Sequence, residues 1–450
     1  MLAGLARDGG LYLPETWPVL APETIRGFKG RPFADIAVDV IAPFTESAIS
    51  RAELKRMADA AYANFGHPSV APLVQLRPGF YILELFHGPT LAFKDVAMQL
   101  LARLMDHVLE KRGQRATIVG ATSGDTGGAA IEAFRSSKRA DVVILFPKGR
   151  VSDVQRRMMT TPTEANVHAI AIEGTFDDCQ ALVKAMFNDH GFRDRVHLSG
   201  VNSINWARIV AQITYYFAAA ANLGAPDKAV SFAVPTGNFG DIFAGYAAKR
   251  MGLAIETLIV ASNENDILPR TVETGVYEMR GVVPTSSPSM DIQISSNFER
   301  YLYEASSRDA AKICDFMASL TSEKRFSLGA VWPTLKSDFA AAAASERDVA
   351  ECIKRISEAH SYVLDPHTAC GVVAAERIKL ACDVVVLATA HPAKFPDAIT
   401  AITGKHPELP ERLATLMSEP ERFDVLPNNL AAVEDYIAVR AASAAKKVRA

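Results

Sequence analysis

From about residue 76 onward, short continuous apolar runs alternate with amphipathic stretches. The runs Thr117-Ile118-Val119, Val142 to Phe146, Val167 to Ile172, Val230 to Val234, Ile255 to Val260 and Val384 to Leu387 are rich in β-branched residues and have no alternating polar face. That is the pattern of strands covered on both sides. Between them, Asp95 to Lys111 sets Val96, Met98, Leu101, Leu104, Met105 and Leu109 at three- and four-residue spacing and is closed by Gly113. Phe176 to Phe187 repeats the spacing with Leu182, Val183 and Met186, so both read as helices. Strand, turn and helix in repetition predict an α/β fold of open, twisted, mainly parallel sheets.

The first seventy-odd residues differ. Proline joints at Leu13-Pro14, Trp17-Pro18 and Ala21-Pro22, then a polar helix at about 51–64, predict an N-terminal cap over 1–75. The compact alternation at 120–200 predicts a smaller inserted α/β domain, which leaves 76–119 and 201–450 as the larger one. The alanine-rich run 340–344 reads as a helix or its border, and the tail from about 438 as helical or frayed.

Composition narrows the class. The 450 residues suffice for about three folding units at ~150 residues each. With 48 basic and 51 acidic residues the formal charge is −3, which offers no basic excess for nucleic acid or an anionic membrane. Cys179, Cys314, Cys352, Cys370 and Cys382 form no CxxC pair and leave one over, which suits reduced thiols and not a zinc or disulfide framework. Apolar runs such as Ile213 to Ala221 fall short of the roughly 18 residues that span a bilayer. Arg7 and Asp8 interrupt the start, so no signal peptide is read there. A cytoplasmic enzyme acting on a small molecule, without a metal, is the expectation.

Five stretches offer chemistry. Phe86 to Asp95 places Lys94 after apolar residues at a helix start, where burial and the helix dipole both disfavour the ammonium. A neutral amine there can form a Schiff base; alternatively the side chain snorkels to water. Val119 to Ala130 runs from strand through hydroxyl residues and glycines into a helix, which exposes backbone N–H groups to a carboxylate or phosphate. The bland alternative is a glycine turn that packs a helix on a sheet. Pro235 to Asp241 repeats the design without a basic residue, as suits a resident cofactor phosphate. A degenerate dinucleotide turn using Glu256 or Glu264 has the wrong glycine spacing. Asn202 to Arg208 sets cap residues and an arginine at a helix start, either a second phosphate receptor or an ordinary capped helix. Thr389 ends a buried strand, where it either donates to a ring nitrogen or caps the strand.

Together HGPTLAFKD (87–95), ATSGDTGGAA (121–130), GNFGD (237–241) and ATAHPAKF (388–395) resemble the threonine synthases, pyridoxal-phosphate enzymes of fold type II, the tryptophan-synthase-β group. Asp8 to Pro14 and Ser289 to Arg300 agree, so the resemblance spans nearly the whole chain. It implies a large and a small α/β domain with pyridoxal 5'-phosphate between them, behind a cap. It implies that Lys94 forms the Schiff base, that Gly237, Asn238, Phe239, Gly240 and Asp241 hold the cofactor phosphate, and that Thr389 faces the pyridine nitrogen. Thr122, Ser123 and Thr126 would take the substrate carboxylate, and Asn202, Ser203 and Arg208 the substrate phosphate. The implied reaction converts O-phospho-L-homoserine and water to L-threonine and phosphate, in a monomer or homodimer. Competing readings are a phospho-lyase releasing 2-oxobutyrate, a non-catalytic cofactor-binding paralogue and a nucleotide-binding module. Two features depart from the family pattern. Asp125 stands where many relatives carry an asparagine bonded to the cofactor ring oxygen, so it receives no role. The sequence opens at Met1-Leu2-Ala3, where relatives usually carry a further strand-containing segment.

Overall fold

The computed structural model describes residues 4–6, 8–45 and 47–448, except for the side chains of 442–448. Met1-Leu2-Ala3 lie outside the described residues. The strands in chain order are β1 (Leu73–Arg77), β2 (Phe80–Glu84), β3 (Ala116–Ala121), β4 (Ala140–Pro147), β5 (Val167–Glu173), β6 (Leu198–Ser199), β7 (Val230–Pro235), β8 (Ile255–Ser262), β9 (Val276–Glu278), β10 (Arg325–Ser327), β11 (Phe339–Ala343), β12 (Asp383–Ala388) and β13 (Asp424–Pro427). One sheet has the order β1-β2-β12-β7-β8-β11 and is parallel apart from the β1/β2 pair. A second has the order β13-β5-β4-β3-β6 and is parallel throughout. β9 and β10 form a separate antiparallel pair. Every residue of β4 is buried, which is why its apolar run is continuous.

Two features differ from expectation. The alanine run 340–344 contributes to β11, not to a helix: Ala340 and Ala342 pack against the cluster of Ile259, Val349, Ile353 and Val373. Tertiary packing there overrides the helical preference of alanine. The C-terminal part of 201–450 does not stay with the larger sheet. β13 pairs with β5 of the smaller one, and Val433 and Ile437 of the helix Leu430–Val448 share a core with Val119 and Leu145. The described part of the N-terminal segment shares its core with the larger unit. Phe33, Ile36, Leu54 and Met57, from helices Phe33–Ile41 and Arg51–Tyr62, join one cluster with Val96, Leu100, Ile213 and Phe217.

The helix Lys94–Lys111 is buried on opposite faces because it serves both units. Val96, Ala97, Leu100 and Leu104 enter the core of the larger one, and Met98, Leu101 and Met105 that of the smaller. Its first residue therefore lies where the two sheets meet.

Candidate active site

The carboxyl ends of β3, β7 and β12 open on one cavity of about 840 Å³, where ligands collect in open α/β sheets. The Lys94 loop is fixed on β12 by an isolated antiparallel bridge between Ala92 and Ala390. The Phe93 N–H donates to the Thr389 carbonyl at 2.8 Å and the His391 N–H to the Leu91 carbonyl at 3.0 Å. Inside the loop, Asp95 accepts from the Thr90 N–H at 2.7 Å and the Thr90 hydroxyl at 2.6 Å. The loop needs glycine at 88, since a Cβ there would lie 2.3 Å from that of Asp95. Lys94 and Thr389 thus line the same cavity on a braced pair of segments.

Lys94 is buried, with Nζ 3.3 Å from Asp125 Oδ2 and 4.5 Å from the centroid of the Phe93 ring. Burial pushes its amine below the ordinary lysine range. Asp125 opposes this, and the neighbouring charges of Lys394 and Arg208 reinforce it.

Two strand-to-helix turns supply the next layer. After β3, the Thr122 hydroxyl accepts from the Gly124 and Gly127 N–H groups, each at 2.9 Å. Gly124 has φ +144°, and a Cβ there would meet Gln155 Cδ at 2.5 Å. Ser123 and Thr126 line the cavity beside Thr122. After β7, Gly237 to Asp241 also line it, and Phe239 sits at φ +60° ahead of the helix Gly240–Arg250. A left-handed phenylalanine costs on the order of 1–3 kcal/mol, so its surroundings must fix it. Phe298, Tyr301 and Phe339 crowd its ring at centroid distances of 5.1, 6.1 and 5.2 Å. The loop is further tied by the Ser295 hydroxyl donating to the Gly237 carbonyl at 2.7 Å and by Asn297 Nδ2 donating to the Asn238 carbonyl at 2.9 Å. Asp241 accepts from both tyrosine hydroxyls, Tyr215 and Tyr216, and burial pushes its carboxyl up to about 6 against their pull.

The third contribution comes from the helix Trp206–Asn222. Arg208 is 3% exposed and lines the cavity; Nη1 donates to the Val201 carbonyl at 3.1 Å and Nε has no partner among the described residues. Burial pushes its guanidinium down to about 10. Ser203 also lines the cavity, whereas Asn202 is exposed and lies outside the lining. Arg300 braces this corner, with Nη2 donating to the Ile204 carbonyl at 2.6 Å and Nε to the Tyr12 carbonyl at 2.9 Å. It thereby joins two of the family-like stretches, Asp8 to Pro14 and Ser289 to Arg300.

Gln212 and His367 line the cavity without having been candidates in the sequence. Gln212 stands one helical turn after Arg208, so the four-residue spacing was an available signal. His367, with Nδ1 2.9 Å from Asp365 Oδ1 and Nε2 accepting from the Ser289 N–H at 3.3 Å, comes from a helix start that carried no such signal. Among the described residues no group of three or more His, Cys, Asp or Glu is arranged to hold a metal ion, and no helix is long and apolar enough to cross a membrane.

The residues fit pyridoxal phosphate. A buried amine of weakened basicity stands ready for its aldehyde. The Gly237 loop is a backbone cradle in which a Cβ at 237 would come 2.8 Å from the Ser289 carbonyl oxygen. The orphaned Arg208 Nε adds a donor for a further anion.

Known proteins give the same picture. A model described as pyridoxal-phosphate dependent enzyme matches residues 67–330, one described as threonine synthase N terminus matches 1–62, and one described as threonine synthase, C-terminal, matches 368–437. A threonine synthase of Pseudomonas aeruginosa is 50% identical over 441 residues, covering 97% of this chain and 94% of that protein. One of Saccharomyces cerevisiae is 42% identical, covering 90% and 86%. The crystal structure of a PLP-bound threonine synthase from Brucella melitensis is similar at a TM-score of 0.95 and 57% identity, covering 97% of this chain and 95% of that one.

Proposed function

Because the chain belongs to the threonine synthase family of pyridoxal-phosphate enzymes, we propose that it converts O-phospho-L-homoserine and water to L-threonine and phosphate in this cavity. The observation that carries the substrate is Arg208, a buried guanidinium with an unmatched Nε in the cavity that holds Lys94. An anion brought by the substrate satisfies it, and a phosphate ester does so with charge-assisted bonds.

Pyridoxal phosphate, when bound, supplies the electron sink for charge developing at the substrate Cα. In this reading Lys94 would be its attachment point, the Gly237 to Asp241 loop would hold its phosphate and Thr389 would serve its ring nitrogen. The neutral Lys94 amine removes the proton from Cα and, once that proton has been passed on, one from Cβ; after phosphate has left, a proton returns to Cγ, water adds its hydroxyl at Cβ and a proton returns to Cα. Ser123 and Thr126 orient the substrate carboxylate, while the Thr122 hydroxyl, already committed to two N–H groups, shapes the turn that presents them. Ser203 and Arg208 hold the phosphate ester and balance its charge as it departs from Cγ.

Incubation with O-phospho-L-homoserine, with threonine and phosphate assayed together, tests the proposal. Equal release of both is expected; 2-oxobutyrate as the main product overturns it. Hydride reduction of the holoenzyme followed by peptide mapping should find the cofactor fixed to Lys94, and a different lysine overturns that assignment.

A further inference from the structure

Two lysines converge on one buried carboxylate at the edge of the cavity. Lys394 Nζ lies 2.7 Å from Asp125 Oδ1 and donates to the Thr90 carbonyl at 2.7 Å, and its residue is 1% exposed. Lys94 Nζ lies 3.3 Å from the other carboxylate oxygen. Gln155 Nε2 donates to Oδ1 at 2.8 Å, and the Gln155 side chain is held in turn by Ser152, whose hydroxyl reaches the Lys394 carbonyl at 3.4 Å. Lys394 therefore spans from the turn after β3 to the loop that presents Lys94.

We propose that Lys394 is a positioning residue that neutralises Asp125 and so leaves Lys94 free to stand as an uncharged amine. The inference rests on Lys94 being the cofactor lysine. Asp125 and Lys94 alone would form an ordinary buried ion pair, which stabilises the ammonium and removes the lone pair that attacks a carbonyl or takes a proton. With Lys394 on the opposite oxygen the carboxylate is already balanced. A proton on Lys94 then adds an uncompensated positive charge in a site that also holds Arg208. Burial acts on Lys94 in the same direction, and Lys394 and Arg208 add to it. Burial alone would raise the Asp125 carboxyl, but Lys394 above all outweighs it and holds the group well below the usual carboxylate range. The remaining charged neighbours are Asp241, which faces Lys94, and Asp95, which faces Lys394. The Phe93 ring favours the Lys94 ammonium.

This arrangement predicts opposite effects from its two members. In the full-length protein stripped of pyridoxal phosphate, the titration midpoint of Lys94 is read by competitive acylation with acetic anhydride across pH and mass spectrometry of the Lys94 peptide. Lys394→Gln should raise the midpoint by about one pH unit, about a tenfold loss of labelling below it. Asp125→Asn should lower it, and the double variant should return towards the parent value. Lys394→Arg, which keeps the charge, should leave it within a few-fold. A residue with only a packing role would not move the two single variants in opposite directions. An unchanged or lowered midpoint in Lys394→Gln overturns the proposal. Should that variant fail to fold, judged by circular dichroism, Asp125→Asn decides, and an unchanged or raised midpoint overturns it. These readouts need no bound cofactor, so an error in assigning the cofactor lysine, visible in the peptide map, remains distinct from an error in the role of Lys394.

Discussion

The turns after β3 and β7 have one design and opposite electrostatics. Each runs from a buried strand through glycine into a helix, lines the cavity and places a buried aspartate in the first helical turn, where the dipole favours ionisation. Asp125 is held far below the usual carboxylate range despite its burial, above all by Lys394. Asp241 is pushed up to about 6 by burial, which its tyrosines and Lys94 do not offset. The backbone donors differ too. Thr122 takes two N–H groups of the first turn, whereas the Asn238, Phe239 and Gly240 N–H groups donate to no acceptor among the described residues. One helix end is occupied by the chain's own anion and hydroxyl; the other leaves its backbone donors without an acceptor among the described residues, with its own carboxyl muted.

In the proposed function Arg208, a buried cation lining the same cavity, meets the charge of the substrate phosphate. Arg208→Ala should lower kcat/KM by about 2–4 kcal/mol equivalent, the range of a lost charge-assisted phosphate contact. Steady-state kinetics with O-phospho-L-homoserine checks this, and a loss of only a few-fold would mean that the turns carry the charge without it.

The aspartates should separate in pH. A carboxyl raised to about 6 keeps its proton in the folded chain where the unfolded chain, near 4, has lost it. Its contribution to stability is therefore fully present below about pH 4 and is lost as pH rises through 6. Asp241→Asn keeps an acceptor for the tyrosines and removes that loss, flattening the profile by up to about 3 kcal/mol. Asp125 has the reverse sign. Its stabilisation is present above the unfolded carboxylate value and lost as pH falls towards its depressed folded value, so Asp125→Asn should destabilise most at neutral pH. Urea unfolding at several pH values reads both; slopes of the same sign would break the comparison.

Thr122→Val is nearly isosteric and leaves the Gly124 and Gly127 N–H groups without an acceptor. It should cost about 1–2 kcal/mol of stability in urea unfolding while Thr122→Ser stays near the parent.

The sequence made the α/β alternation legible because buried parallel strands leave continuous β-branched runs, and the placement of Lys94 at a helix start because an apolar approach to a helix start is unusual for lysine. It hid what depends on partners distant in the chain. β13 is a mostly exposed four-residue edge strand with no apolar run to mark it. Lys394 lies in ATAHPAKF (388–395), but lysines are seldom fully buried, and its pairing with Asp125 spans 269 positions of sequence. The roles of Thr122 and Asp125 were equally unreadable, since whether a turn's hydroxyl faces its own backbone or a ligand is set by φ angles such as that of Gly124.

The smallest effect tests the limits of the cavity. Family resemblance groups Asn202 with Ser203 and Arg208 at the substrate phosphate, whereas only Ser203 and Arg208 line the space around Lys94. The Asn202 side chain is exposed, and its contribution to the corner is a carbonyl that accepts from the Asn205 N–H at 3.2 Å, a backbone group that substitution leaves in place. Asn202→Ala should therefore change KM by no more than about twofold, under ~0.5 kcal/mol, as for surface substitutions away from special features. Ser203→Ala, one residue further on and inside the lining, should raise KM more. If Asn202→Ala has the larger effect, the corner around Arg208 must close further over the substrate than this structure shows, and the phosphate receptor is assembled from both turns and the loop together.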